Sequence, residues 1–325
     1  MKLILKLTIA AIFILLSFCG KKRPYEPDAP ILVCKEDGSY PLHTNAQRFG
    51  FFSEEIYKDY KAYLNTFTNK YGAQPGYIIR FQQIDDAFPT EFVNFFLSRS
   101  ISSVISVNVM SMKAEKSRND TLLREITSGI WDSTLNNFAE QARQINGKVY
   151  LRFGYEMNGD WFAWGKKPKE FIQAWNYVHK IFTRKGATNV KWIFSPGVLW
   201  DGATVENDLI NYYPGDSVVD IVGLDGYNYG NIYKDGYQLR WKSFQQIFNV
   251  SLDAVSRFEK PLWITEVGCV SDRRRSEWLK DLFSFMESNP CIDAMIWFDC
   301  HKKNEPDFRM DSDSASFDLI KKWLQ

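Results

Sequence analysis

A chain of 325 residues, 45% hydrophobic and 16% aromatic, can bury one large core, and 40 basic against 39 acidic residues leave a net charge of +1. That balance supplies no field for a nucleic acid or an anionic membrane, so a neutral polymer is the more natural partner. The length suits a single barrel-sized domain as well as two smaller ones.

Residues 1–19 read as an export signal. Lys2 and Lys6 give the positive start, Leu7 to Leu16 the apolar core, and Leu16-Ser17-Phe18-Cys19-Gly20 the end. The end is similar to a bacterial lipoprotein cleavage site in which Cys19 becomes the lipidated first residue. Phe18 stands where a small residue is usual, so simple secretion and an uncleaved anchor stay open beside lipidation. The apolar run is short for a membrane span, and a lipid on Cys19 is the membrane attachment to expect. The expected location is the bacterial cell surface, outer membrane or periplasm, otherwise the medium. Residues 20–34 read as a polar, proline-bearing tether and 35–325 as one domain, expected to be a monomer.

Beyond the leader stand Cys34, Cys269, Cys291 and Cys300. Export permits disulfides. Cys269 and Cys300 follow successive strands and could approach each other, but connectivity stays open. These isolated cysteines and the histidines His43, His179 and His301 offer no zinc-ligand spacing. Of the histidines, His301 follows the last strand and is the one within reach of a cleft.

From residue 49 the chain alternates short apolar runs with amphipathic ones. Strands are expected at Phe49–Phe52, Tyr77–Phe81 and Val104–Val109, and a fourth from Val149 ending at Glu156. Four more are expected at Val190–Ser195, Val218–Leu224, Leu262–Glu266 and Ala294–Phe298. Helices are expected over Ser53–Tyr71 and Pro89–Ser98, around Leu135–Ile145 and Phe171–Phe182, near Ser243–Phe258, around Trp278–Met286, and over Ala315–Leu324. Gly72, Gly147 and Gly186 serve as stops. Eight buried strands alternating with helices predict an α/β fold, a (β/α)8 barrel with its site at the C-terminal strand ends. An open doubly wound sheet is the alternative, but no glycine-rich phosphate loop favours it. Asp311-Ser312-Asp313 has the start of a calcium loop without its later glycine and glutamate, and reads better as a solvated turn.

Two stretches carry the chemistry. Val149-Tyr150-Leu151-Arg152-Phe153-Gly154-Tyr155-Glu156-Met157-Asn158-Gly159-Asp160-Trp161-Phe162-Ala163-Trp164-Gly165 runs from an apolar strand into a loop with one glutamate among aromatic rings. Four residues apart on a strand, Arg152 and Glu156 share a face, and a plain Arg152–Glu156 ion pair is the bland alternative. Leu262-Trp263-Ile264-Thr265-Glu266-Val267-Gly268 presents Glu266 in the same way, 110 positions later. Two carboxylates at two parallel strand ends suit glycoside cleavage, one as nucleophile and one as proton donor. That chemistry needs no metal or organic cofactor. Retention of configuration requires the carboxyl groups about 5–5.5 Å apart, and the donor must titrate above its partner.

These two stretches, with Asp220-Ile221-Val222-Gly223-Leu224-Asp225-Gly226-Tyr227-Asn228, resemble glycoside hydrolase family 26 over residues 45–325. The family holds mostly endo-β-1,4-mannanases, with some β-1,3-1,4-glucanases and β-1,3-xylanases. The resemblance implies Glu156 as acid/base, Glu266 as nucleophile, and Arg152, Trp161, Asp225, Tyr227 and Trp297 around the cleaved bond. Tyr155 and Trp164, in the same motif, complete the substrate-binding candidates. Tyr227 is expected to donate a hydrogen bond to Glu266, and Trp161 and Trp297 to offer flat faces to sugar rings. The chain departs from the family at Tyr155, where mannanases usually have His, and at Gly197, where the family tends to have Asn. Both departures bear on substrate and pH optimum rather than on the carboxylates. The implied function is a retaining endo-β-glycanase, most simply an endo-β-1,4-mannanase. A glucanase, a xylanase and a silent glycan-binding lipoprotein are the alternatives.

Overall fold

The computed structural model describes residues 33–34, 38, 40–41, 43–110, 120–199, 208–234, 237–302 and 305–325. The leader and most of the tether lie outside these residues. Eight parallel strands, β1 (Phe49–Phe52), β2 (Tyr77–Gln83), β3 (Ser102–Asn108), β4 (Val149–Phe153), β5 (Val190–Phe194), β6 (Ile221–Asn228), β7 (Leu262–Cys269) and β8 (Met295–Phe298), close into a barrel. Their order around it is β1-β8-β7-β6-β5-β4-β3-β2. The (β/α)8 expectation holds.

The expected strand ends shift where pairing or turns decide. β6 and β7 run on to Asn228 and Cys269 because each supplies the other's ladder partners, Tyr227 against Gly268 and Asn228 against Cys269. β4 stops at Phe153, three residues short of Glu156, where Gly154 turns the chain with φ 56°. A 3-10 turn at Asp216–Val218 delays the start of β6.

Around the barrel run α1 (Asn45–Arg48), α2 (Ile56–Tyr71), α3 (Thr90–Leu97), α4 (Leu122–Thr127), α5 (Asp132–Arg143), α6 (Pro168–Arg184), α7 (Phe244–Ser256), α8 (Arg275–Ser288) and α9 (Ser314–Leu324). The six-residue α4 and a hairpin pairing Tyr233–Lys234 with Tyr237–Gln238 were not expected, being too short to show a period. α6 shows how the layer forms. Pro168 opens its first turn, Phe171, Ala174, Trp175, Val178, Ile181 and Phe182 make one buried stripe, and Gly186 past its end takes φ 71°. The stripe packs Trp175 and Phe182 against Trp192 of β5, at ring distances of 5.4 and 5.1 Å.

Alternation along the strands separates two cores. Phe49 and Phe51 stack outward on Phe67 of α2, whereas Tyr77, Tyr150 and Trp263 meet inside the barrel, with Trp263 4.9 and 4.7 Å from the two tyrosine rings. This apolar floor leaves only the upper layer of the barrel for polar groups.

Cys34 and Cys291 form a disulfide that ties the start of the domain to the segment after α8. Cys269 and Cys300 do not pair with each other. Both are buried thiols, Cys269 turned to the Val270 carbonyl and Cys300 lying against the backbone of Glu54. Asp311–Asp313 behaves as the turn reading has it: Asp313 caps α9 by accepting from Ser316 N, and Asp311 pairs with Lys70.

Buried Arg48 donates to the carbonyls of Met286, Asn289 and Ile292, each at 2.8 Å, and so closes the C-terminal end of α8. Arg48→Met should cost about 3 kcal/mol in urea unfolding, since it strands buried carbonyls. Activity per folded molecule should be unchanged.

Candidate active site

The upper layer of the barrel interior is organised by one cation. Arg152 of β4 has no exposed side-chain surface. It donates Nη2–H to Asp225 Oδ2 at 2.5 Å, and Nη1–H to Glu266 Oε1 at 2.7 Å and to Ser106 Oγ at 3.0 Å. Burial disfavours its charge, but Asp225 and Glu266 together hold its pKa above the ordinary value. The plain Arg152–Glu156 ion pair of the bland alternative does not form. The chain leaves the strand at Gly154, so spacing of four no longer places the two side chains on one face.

Glu266 reaches Arg152 through a bulge. β6 advances one residue from Leu224 to Asp225 while β7 advances two, from Ile264 to Glu266, and the β7–β8 ladder shifts at the same place. Strict alternation would turn Glu266 away from Trp263 and Thr265. The extra residue lets Thr265 and Glu266 both face inward. Thr265 Oγ1 donates to Asp225 Oδ1 at 2.7 Å. Gly223 makes the room: a Cβ there would stand 2.3 Å from Thr265 Oγ1. The other Glu266 oxygen accepts a hydrogen bond from Tyr227 of β6, as the resemblance implied.

Glu156 is held differently. It lies past β4 in a left-handed conformation, φ 50°, with its N–H on the Ser195 carbonyl at 2.8 Å. For a non-glycine residue this backbone is strained by about 1 kcal/mol or more, the kind of cost found at functional sites. Its carboxyl accepts from Trp161 Nε1 and is ringed by protein although part of the residue reaches the mouth. Burial raises its pKa well above the ordinary value, and the nearby Asp225 and Glu266 add to the rise. One cation among three carboxylates cannot neutralise all of them, and among the described residues Glu156 has no cation at ion-pair distance. A raised pKa is the direction expected for a proton donor.

The remaining candidates divide. Trp161 is 46% exposed, and its Nε1 donates to the Glu156 carboxyl. Tyr155 stacks on Arg152, 4.7 Å from the guanidinium, and its hydroxyl donates to Asn108 Oδ1 at 2.6 Å. Trp164 does not line the cleft: it is 1% exposed, stacked on Phe162, and its Nε1 donates to the Tyr155 carbonyl. Its role is to hold the β4–α6 connection. Trp297 also proves buried, because alternation on β8 turns it outward onto Trp278 and Arg275. Its neighbour Phe298 takes the inward position, against Phe52, Phe81 and Tyr227. His301 is exposed, 3.9 Å from Asp307, and lines a separate cavity between α2 and the β8–α9 connection. His179 packs on Trp192 in the helical layer, with its pKa lowered by burial.

Sequence reasoning passed over Ser106, Asn108, Ser195, Thr265 and Phe298. Ser195 and Thr265 stood inside or beside the quoted motifs, but nothing in a single hydroxyl marks a partner from another strand. Gly197, the second departure, exchanges two hydrogen bonds with Asn158, 2.9 Å through its N–H and 2.8 Å through its carbonyl. That clamp joins the start of the β5–β6 connection to the loop bearing Glu156.

An eight-stranded βα barrel with an arginine-bridged acid pair and a third acid of raised pKa at its mouth is the construction of a barrel hydrolase. The glycosyl hydrolase family 26 profile matches residues 98–271, more than half of the chain, and the chain belongs to that family. It is 30% identical over 197 residues to endoglucanase H of Acetivibrio thermocellus, a match covering 58% of this chain and 21% of that one. To a mannan endo-1,4-beta-mannosidase of Bacillus subtilis it is 29% identical over 150 residues, 42% of this chain and 36% of that one. The chain thus spans well under half the length of these relatives. A family 26 β-mannanase structure from Bacteroides ovatus superposes with a TM-score of 0.60 at 19% identity, covering 79% of this chain and 80% of that one. At that identity the superposition speaks for the fold alone.

Arg152→Met should destabilise the protein by about 3–5 kcal/mol in urea, because Asp225 and Glu266 are left buried without their cation. A loss below about 1 kcal/mol would remove the bridge from the account of the site.

Proposed function

We propose that the protein is a retaining endo-β-glycanase acting on β-1,4-mannan. The observation that carries this reading is the unequal treatment of two glutamates in one cleft. Glu266 accepts hydrogen bonds from Arg152 and Tyr227, while Glu156 accepts from Trp161 and burial raises its pKa well above the ordinary value. Glu266 attacks the anomeric carbon as Glu156 protonates the leaving oxygen. The glycosyl-enzyme ester is then hydrolysed by a water that Glu156 deprotonates. Trp161 offers its face to a sugar ring beside the cleaved bond. The Bacillus subtilis relative and others named mannan endo-1,4-beta-mannosidase favour mannan. A β-glucan is the second reading, favoured by the relative named endoglucanase H. Export is part of the proposal: the leader motif supports it, and so does the Cys34–Cys291 disulfide, since such bonds persist in oxidising compartments. Cell fractionation of the native chain beside Cys19→Ala tests the anchor, the variant moving from membrane to soluble fractions if Cys19 is lipidated.

The test of activity is reducing-sugar release from linear mannan, galactomannan, glucomannan, barley β-glucan and β-1,3-xylan. Release of short oligosaccharides from mannan is expected, with the β-anomer first by NMR, and Glu266→Ala should abolish it. Glu156→Ala should slow polymer cleavage by about 10²–10⁴-fold while sparing aryl glycosides whose leaving group needs no proton. Silence of the folded wild type on all five polymers would move the reading to a glycan-binding protein.

Activity that needs protonated Glu156 is lost as pH rises through its elevated pKa. The Trp161 N–H opposes that elevation, so Trp161→Phe should move the alkaline limb of kcat/KM to higher pH. An alkaline limb that stays in place or moves down would separate Glu156 from the acid role.

A further inference from the structure

We infer that Thr265 and Ser195 are positioning residues for Glu266, acting through Asp225 and Arg152. This inference rests on the catalytic reading of Glu266 and extends it to two hydroxyls that touch neither substrate nor the reacting atoms.

Asp225 Oδ1 accepts from Thr265 Oγ1 at 2.7 Å and from Ser195 Oγ at 3.0 Å, and the two hydroxyl oxygens lie 2.6 Å apart. Asp225 Oδ2 takes Arg152 Nη2, and Arg152 Nη1 takes Glu266 Oε1. Ser195, Asp225, Thr265, Arg152 and Glu266 are all buried, so no bulk water substitutes for a lost donor. The triangle of oxygens has three contacts and two hydroxyl protons. An ionised Asp225, which only accepts, takes both hydroxyl protons on Oδ1 and the guanidinium on Oδ2. A protonated Asp225 adds a third proton and weakens its hold on the guanidinium. The two hydroxyls therefore favour the anion that orients Arg152, and Arg152 orients the nucleophile. Asp225 of β6, Thr265 of β7 and Ser195 just past β5 make the triangle, and the bulge on β7 brings Glu266 to the same side as the Thr265 hydroxyl.

The other charges facing Asp225 are Arg152 from β4 and Glu266 from β7, with Glu156 beyond β4 and the Tyr155 and Tyr227 hydroxyls nearby. Burial, with Glu266 adding, pushes Asp225 up to about 7, against Arg152 and the two hydroxyls. Removing a hydroxyl raises it further. Activity that needs ionised Asp225 then fails at a higher pH, so the acid limb moves up.

The experiment compares wild type, Thr265→Val, Thr265→Ser and Ser195→Ala. Thr265→Val keeps the shape and loses the donor. It should lower kcat by about tenfold to a hundredfold with KM little changed, and should raise the acid limb of the pH profile. Thr265→Ser keeps the donor and should stay near wild type. Ser195→Ala should follow Thr265→Val in direction, and it carries the test if the valine variant does not fold. A Thr265→Val enzyme with the wild-type acid limb and kcat would overturn the inference, and so would Thr265→Ser losing as much as Thr265→Val. The inference also has a readout without substrate. A group whose folded pKa is raised destabilises the fold as pH climbs through that value, so the stability deficit of Thr265→Val should be larger at pH 8 than at pH 5. If wild type cleaves no glycan yet this pH-dependent deficit is present, the catalytic reading falls and the network stands. Activity on mannan with an equal deficit at both pH values gives the opposite result.

Discussion

The arginine buried between Asp225 and Glu266 is the constraint on which the rest of this molecule turns. Taking a guanidinium fully out of water is costly, and only close carboxylates with further hydrogen bonds offset it. Arg152 meets that condition with contacts of 2.5 and 2.7 Å and with Ser106 as an additional acceptor. Once the cation is shared between two acids, its charge is used up. Glu156, beside them and accepting from the Trp161 N–H, has its pKa raised by burial and by its acid neighbours. The different surroundings of the two glutamates follow from where a single positive charge was placed.

The barrel makes that placement possible. Its lower interior is closed by Tyr77, Tyr150 and Trp263, so polar groups concentrate in the upper layer, where water is scarce and electrostatic interactions are strong. Strand register decides which side chains enter this layer. A one-residue change of phase puts Glu266 inside at the β7 bulge, while unbroken phase on β8 puts Trp297 outside and Phe298 inside. The mouth is built from less regular backbone: Gly154 and Glu156 are both left-handed, and the Asn158–Gly197 clamp fixes the loop that carries Trp161.

Tyr155 illustrates how a departure from a family pattern can leave the central arrangement whole. It lies flat against Arg152 and is tied to Asn108. Burial raises its pKa well above the ordinary tyrosine value, with Glu266 and Glu156 adding to the rise. A group of that kind covers the guanidinium without introducing a charge change near neutrality, in contrast to a histidine at the same position.

Much of this was legible in the chain before any coordinates. Alternating strand and helix periods, helix stops at glycine and two strand-end glutamates depend on neighbours within a few residues, and local sequence records such relations. Eight strands in that rhythm imply a barrel, and the barrel implies which end holds the site. The sequence could not say that Arg152 would choose Asp225 and Glu266 over Glu156, because the choice depends on where β4 stops and on a bulge three strands away. Nor could it assign the Cys34–Cys291 disulfide, the outward Trp297 or the hydroxyl pair of Ser195 and Thr265. Each of these joins positions far apart in the chain. Their meeting is set by register and closure of the whole sheet, a property that no single segment possesses.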